Sequence, residues 1–155
     1  MKQAKSVRIE GAITAMVTPF TESGELDVEG MKRNVEFQIA NGISGLVPLG
    51  TTGESPTVSD EERETVIRTV VEAAAGKVPV IVGTGTNSTE HSIELSQQAE
   101  ELGADAVLVV SPYYNKPTQE GLYRHFKAIA EAVSIPVVVY NIQGRTSVNI
   151  ETAAL

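Results

Sequence analysis

LVPLGTTGES, residues Leu46 to Ser55, is an apolar run that breaks into two glycines, two threonines and a carboxylate. An apolar run bounded in this way reads as a strand buried on both faces, the kind found in parallel sheets. The Gly50 to Ser55 segment that follows is short, polar and flexible, so its backbone N–H groups and hydroxyls can converge on a small anion. Gly50 and Gly53 permit close backbone approach, and Thr51 and Thr52 bring hydroxyls that both donate and accept. A lone Gly-x-x-Gly is more often an ordinary turn than a site. The case for a site rests on repetition, because later strands end in the same kind of chemistry.

Upstream, Ile13 to Val17 reads as a first strand ending at Thr18-Pro19-Phe20. Asp27 then caps a helix whose apolar positions Met31, Val35 and Ile39 recur every four residues before Gly42 closes it. Downstream, Ser59 and Glu62 form a capping box for a helix striped with Val66, Ile67, Val70, Val71 and Ala74. Val78 to Val82 is a third strand, stopping at Gly83-Thr84-Gly85-Thr86-Asn87. Asn87 or Ser88 caps a helix carrying Ile93, Leu95, Ala99 and Leu102, and Ala106 to Val110 is a fourth strand that ends at SPYYNKP. Thr118 caps a helix with Leu122, Phe126, Ile129 and Val133, and Ile135 to Tyr140 is a fifth strand ending at NIQGRTS. Asn149 reads as the cap of a further helix.

Strand, polar loop, helix and short return recur at about thirty residues per unit, the size of a βαβ repeat. The fold class is therefore α/β with a parallel sheet, and both a doubly wound sheet and a (β/α)8 barrel fit. An open sheet gathers chemistry at one switch point, whereas a barrel collects it from the C-terminal ends of several strands. Four successive strand ends here are equipped, which favours the (β/α)8 barrel. A whole barrel needs about 250 residues, so residues 1–155 read as one partial barrel domain supplying the first five strands and ending before a sixth.

The formal charge of −8 and a pI near 4.8 argue against a nucleic acid or an anionic membrane as partner. The sequence has no cysteine, which excludes thiol catalysis and disulfides and fits a reducing compartment. The opening MKQAKSVRIEGAITAMVTPF has only a brief apolar run, so neither a signal peptide nor a membrane span is expected, and the location reads as cytoplasmic.

GTTGES at Gly50 to Ser55, SPYYNKP at Ser111 to Pro117 and YNIQGRTS at Tyr140 to Ser147, in this order and spacing, resemble the dihydrodipicolinate synthase branch of the N-acetylneuraminate lyase family. The likeness runs from TAMVTPF onward and corresponds to the amino-terminal half of a family member. The resemblance implies a (β/α)8 barrel that condenses pyruvate with aspartate semialdehyde through a lysine Schiff base, in a homo-oligomer and without cofactor or metal. It implies a proton relay of Thr51, Tyr140 and Tyr114, the last reaching into a neighbouring subunit's site. It also implies that Thr52, with Gly53 beside it, holds pyruvate's carboxylate, and that Arg145 receives the carboxylate of the aldehyde. That chemistry is coherent, since phenol and threonine hydroxyls can pass protons without carrying charge, and a guanidinium recognises a carboxylate bidentately.

Two departures stand out. Gln143 occupies a position where the family usually has proline, and the family's Schiff-base lysine lies beyond Leu155. Lys116, the lysine nearest the loops, sits beside Pro117 and reads as a solvated, protonated amine. Other candidates have plainer readings. Tyr113 is expected to pack or to meet another subunit, and His91 and His125 are expected on helix surfaces away from the loops. Gly83-Thr84-Gly85 lacks the third glycine of a dinucleotide loop, and Glu61-Glu62-Arg63-Glu64 reads as a solvated first helical turn. Three functions remain in view: the synthase, another pyruvate-dependent aldolase acting on a sugar acid, and a non-catalytic half-barrel that binds a carboxylate or assembles with another chain.

Overall fold

Runs of β-branched residues alternate with four- and three-residue apolar stripes, and in a computed structural model that describes residues 7–154 they become strands and helices in strict alternation. The strands are β1 (Ile13–Ala15), β2 (Gly45–Val47), β3 (Ile81–Gly83), β4 (Ala106–Val110) and β5 (Val137–Tyr140). Between them lie α1 (Val28–Ala40), α2 (Asp60–Ala74), α3 (Thr89–Glu101) and α4 (Gln119–Ala132), and β5 is followed by a single turn, α5 (Gln143–Thr146). The first six residues, part of the stretch judged for a leader, and Leu155 lie outside the described residues. No described helix is long and apolar enough to cross a membrane.

The expected caps form. Asp27 accepts from Gly30 N, Ser59 and Glu62 close a reciprocal capping box, and Thr118 accepts from Gly121 N. Of the two candidates before α3, Ser88 is the cap, accepting from His91 N. Asn149 does not cap a helix. Its side chain accepts instead from Asn141 Nδ2 at 2.9 Å, and the residues after it form only a short 3-10 turn, Thr152–Ala154.

Strand order settles the architecture. β1 pairs with β2, a Leu46–Val80 bridge joins β2 to the β3 segment, and β3, β4 and β5 follow in order, every pairing parallel. A doubly wound sheet reverses its order at a switch point, and none occurs among the described strands. Sequential parallel strands each followed by a helix are the pattern of a (β/α)8 barrel.

Strand pleat divides the core in two. Leu46, Val80, Val82, Val107 and Val109 face the helices and pack with Val35, Val66, Ile67, Val70, Leu122 and Ile129. The alternate residues, Val47, Ile81 and Ala106 with Ile13, Leu108 and Val138, form a second cluster on the concave face. Fully burying each large aliphatic side chain contributes about 1.5–3 kcal/mol, so the helix-facing layer carries most of the stability. The smaller concave cluster determines which side chains continue upward into the strand-end cavity.

Candidate active site at the strand ends

Tyr140 is the last residue of β5 and lies two residues beyond Val138, so it projects on the concave face, and Val110, its register partner on β4, does the same. Above them opens a cavity of about 540 Å³ lined by Thr51, Tyr140 and Arg145, with Gly50, Gly83, Leu108, Val110, Ile142 and Thr146 among its walls. Three of the sequence candidates are thus brought together from two strand ends far apart along the chain, Thr51 after β2 and Tyr140 with Arg145 at the end of β5.

Each is held by a distinct local device. GTTGE does not form an open loop but winds into a 3-10 turn, Thr51–Gly53, followed at once by another, Ser55–Thr57. Gly53 N donates to Gly50 O at 3.1 Å and Glu54 N to Thr51 O at 3.2 Å, while Thr18 Oγ1, in the loop after β1, donates to Gly53 O at 2.7 Å. A Cβ at Gly53 would stand 3.2 Å from Met16 O, which is why glycine belongs there. Arg145 is carried on α5, whose following residue Thr146 is buried and donates to Ile142 O at 3.1 Å and Val148 O at 3.0 Å. Ser111, after β4, contacts Thr146 Oγ1 at 3.4 Å, so the Arg145 turn is tied to the neighbouring strand end.

Non-glycine residues with left-handed backbone concentrate on this face. Leu49 (φ 57), Glu54 (φ 55), Tyr114 (φ 74), Lys116 (φ 47) and Ser147 (φ 61) all lie in loops that follow strands. Such conformations persist only where surrounding contacts over-determine them.

The remaining candidates lie elsewhere. Thr52 is exposed and does not line the cavity, and Gly53 is buried with its amide engaged within the turn. Tyr114 is 88% exposed and outside the cavity, turned outward by its left-handed backbone, whereas Tyr113 lines the cavity wall. Asn115 Nδ2 donates to Asn87 O at 3.0 Å and so anchors this projecting loop to the one after β3. Lys116 is exposed and also outside the cavity.

Three residues depart from their sequence reading. Arg63 is not solvated but only 5% exposed, and burial lowers its guanidinium pKa, with Asp60 and Tyr113 opposing the shift. His125 is 4% exposed, its Nδ1 lies 2.9 Å from Thr89 Oγ1, and burial lowers its pKa. His91, half-buried, reaches the cavity wall and pairs with Glu94 at 3.3 Å, so it is not remote from the loops. Among the described residues no cluster of histidine and carboxylates has the makings of a metal site. The Gly83-Thr84-Gly85 loop serves packing, with Thr84 Oγ1 2.8 Å from Ser96 Oγ and Thr86 N donating to Ser92 Oγ at 2.9 Å, which binds α3 to the strand end.

Sequential parallel strands with hydroxyls and a guanidinium gathered over their C-terminal ends define a partial (β/α)8-barrel chain whose cavity lies at the strand ends. Residues 8–155 match the model of the dihydrodipicolinate synthetase family, and the chain belongs to that family. Relatives named 4-hydroxy-tetrahydrodipicolinate synthase include those of Thermotoga maritima, 58% identical over 93% of this chain and 49% of the relative, and Bartonella bacilliformis, 57% identical over 91% and 48%. The chain superposes with a TM-score of 0.93 on the dihydrodipicolinate synthase of Acinetobacter baumannii solved with pyruvate, at 49% identity over 95% of this chain and 50% of that one. It spans about half the length of the curated relatives it matches.

Proposed function

We propose that this chain provides the substrate-positioning and proton-relay part of a 4-hydroxy-tetrahydrodipicolinate synthase, which condenses pyruvate with L-aspartate 4-semialdehyde through a lysine Schiff base. The observation that carries the reading is the convergence of Thr51, Tyr140 and Arg145 on one cavity above parallel strand ends. In this reading the Thr51 and Tyr140 hydroxyls hand protons to and from the carbinolamine and enamine, and Arg145 holds the aldehyde's carboxylate. Thr52 and Gly53, in the same 3-10 turn as Thr51, hold pyruvate's carboxylate. The amine nucleophile comes from the length of the relatives that these 155 residues do not span.

Tyr114 completes the relay across a subunit boundary. Its near-complete exposure on a left-handed backbone, tethered through Asn115, supports presentation to a second copy in a homo-oligomer. A cytoplasmic location goes with this reading.

The test joins this chain to the part of the Thermotoga maritima relative that it does not span and measures condensation. Tyr140→Phe is expected to lower kcat by about 10²-fold or more. Arg145→Ala is expected to raise KM for the semialdehyde by about tenfold or more while leaving KM for pyruvate nearly unchanged. Full activity in either variant would refute the reading.

A further inference from the structure

Arg63 is a buried cation that the proposed chemistry does not use. Its Nη1 donates to Ser55 Oγ at 2.9 Å and to Ser55 O at 3.3 Å, and its Nη2 donates to Gly83 O at 3.0 Å. Gly83 in turn donates its N–H to Pro48 O at 3.0 Å. A single residue at the end of β3 therefore holds the segment 48–55 at both ends, directly at Pro48 and through the guanidinium at Ser55. Between those anchors lie Thr51, Thr52 and two left-handed non-glycine residues, Leu49 and Glu54.

A turn strained at two positions needs outside contacts to keep its shape. Arginine suits the task, because its planar fork presents donors in fixed directions that reach two separate acceptors, which an ammonium does not reproduce. A buried charge is costly unless its donors are paired; both Nη groups of Arg63 are paired in this way, while its buried Nε has no partner among the described residues. Arg63 also lies three, four and seven residues before Val66, Ile67 and Val70, so the packing of α2 delivers it to the strand end.

We propose that Arg63 is a positioning residue, locking the Thr51–Thr52 turn to the C-terminal end of β3 so that its hydroxyls meet the cavity in one geometry. The functional consequence rests on the pyruvate reading above, whereas the clamp itself does not. Amide hydrogen exchange on this chain and on Arg63→Met and Arg63→Lys separates the two. Gly53 and Glu54 report the turn, and Asn41 and Leu102 report distant helix ends.

Arg63→Met is expected to speed exchange at Gly53 and Glu54 by about tenfold or more, with Asn41 and Leu102 within about twofold. Arg63→Lys retains the charge and much of the stem, so it covers the case in which the Met variant fails to fold, and it too is expected to loosen the turn. Parental exchange at Gly53 and Glu54 in the Lys variant, or equal acceleration at all four sites in both variants, would overturn the clamp. Adding pyruvate reads the consequence. Protection of Thr51 in the parent that is lost in Arg63→Lys supports the positioning role, and equal protection in both overturns it. No protection even in the parent would count against the pyruvate reading and leave the clamp to be decided by exchange alone.

Discussion

Gly83→Ala should be among the most damaging single-methyl additions in this chain. A Cβ there would stand 2.1 Å from Leu49 O, 2.5 Å from Leu49 C and 2.9 Å from Gly50 N, all backbone atoms, while real Cβ contacts essentially never fall below 3.0 Å. The β2 end must retreat by about 0.9 Å, and no flexible side chain is there to absorb the movement. Overpacking of this kind costs about 1–3 kcal/mol. The same displacement strains the Gly83 N–H bond to Pro48 O and the charged bond from Arg63 to Gly83 O, worth about 1 and about 2 kcal/mol. The expected loss is on the order of 4 kcal/mol, a large part of the 5–15 kcal/mol typical of a domain.

Urea unfolding followed by far-ultraviolet circular dichroism measures it directly. With a slope of about 2 kcal/mol per molar, the midpoint should fall by about 2 M. Gly144→Ala is the control, because nothing lies within 4 Å of its would-be Cβ and it sits in the α5 turn. That change should be neutral or stabilise by up to about 1 kcal/mol. A Gly83→Ala midpoint within about 0.3 M of the parent would refute the close-packed strand ends on which the site geometry depends.

Two further outcomes are expected. His125 has its pKa lowered from 6.5 by burial, so below about pH 6.5 the unfolded chain takes up a proton before the folded one and stability falls with pH until the folded value is passed. His125→Gln should flatten that slope below about pH 6.5 in urea titrations, and an unchanged slope would exclude His125 as its source. Among the described residues β1 pairs only with β2 and β5 only with β4, and Val17 is 53% exposed. Two free parallel edges should make the isolated chain self-associate in sedimentation experiments, and a compact monomer at high concentration without dye-accessible apolar surface would contradict this.

Much of the fold was legible because its signals are local. The Ser59–Glu62 capping box, the Ser88 cap and the stripes of α2 and α4 required only neighbours within two turns. Strand starts were less legible, since Pro79 and Pro136 lack an N–H and delay regular pairing until Ile81 and Val137. The strand-end loops read as polar, yet their winding into a 3-10 turn at Thr51 and a helical turn at Gln143 depends on Thr18 and Ser111, which arrive from other units.

Arg63 and His125 read as solvated in the sequence because charge or polarity outweighs spacing there. Arg63 continues the Val66–Ile67–Val70 stripe one turn back, and His125 falls between Leu122 and Ile129 beside Phe126. Periodicity therefore held the signal for both. The partners that make burial tolerable, Ser55 and Gly83 in one case and Thr89 in the other, lie 8 to 36 residues away and are not local features of the sequence.

The central claim is that these residues position a Schiff base whose amine lies outside them, and borohydride trapping with pyruvate tests it most directly. Among the described residues Lys32 and Lys127 lie on α1 and α4, Lys77 follows α2, and Lys116 is exposed in the loop after β4. Lys32 is further held protonated by its hydrogen bond to Glu29. None stands at the end of a strand facing the cavity, where an amine is desolvated enough to act as a nucleophile. The account predicts that pyruvate and borohydride leave the intact mass of this chain unchanged, and that when it is combined with the unspanned part of the Thermotoga maritima relative the adduct appears on that partner. A pyruvyl adduct on Lys116, or on any lysine of this chain, would contradict it.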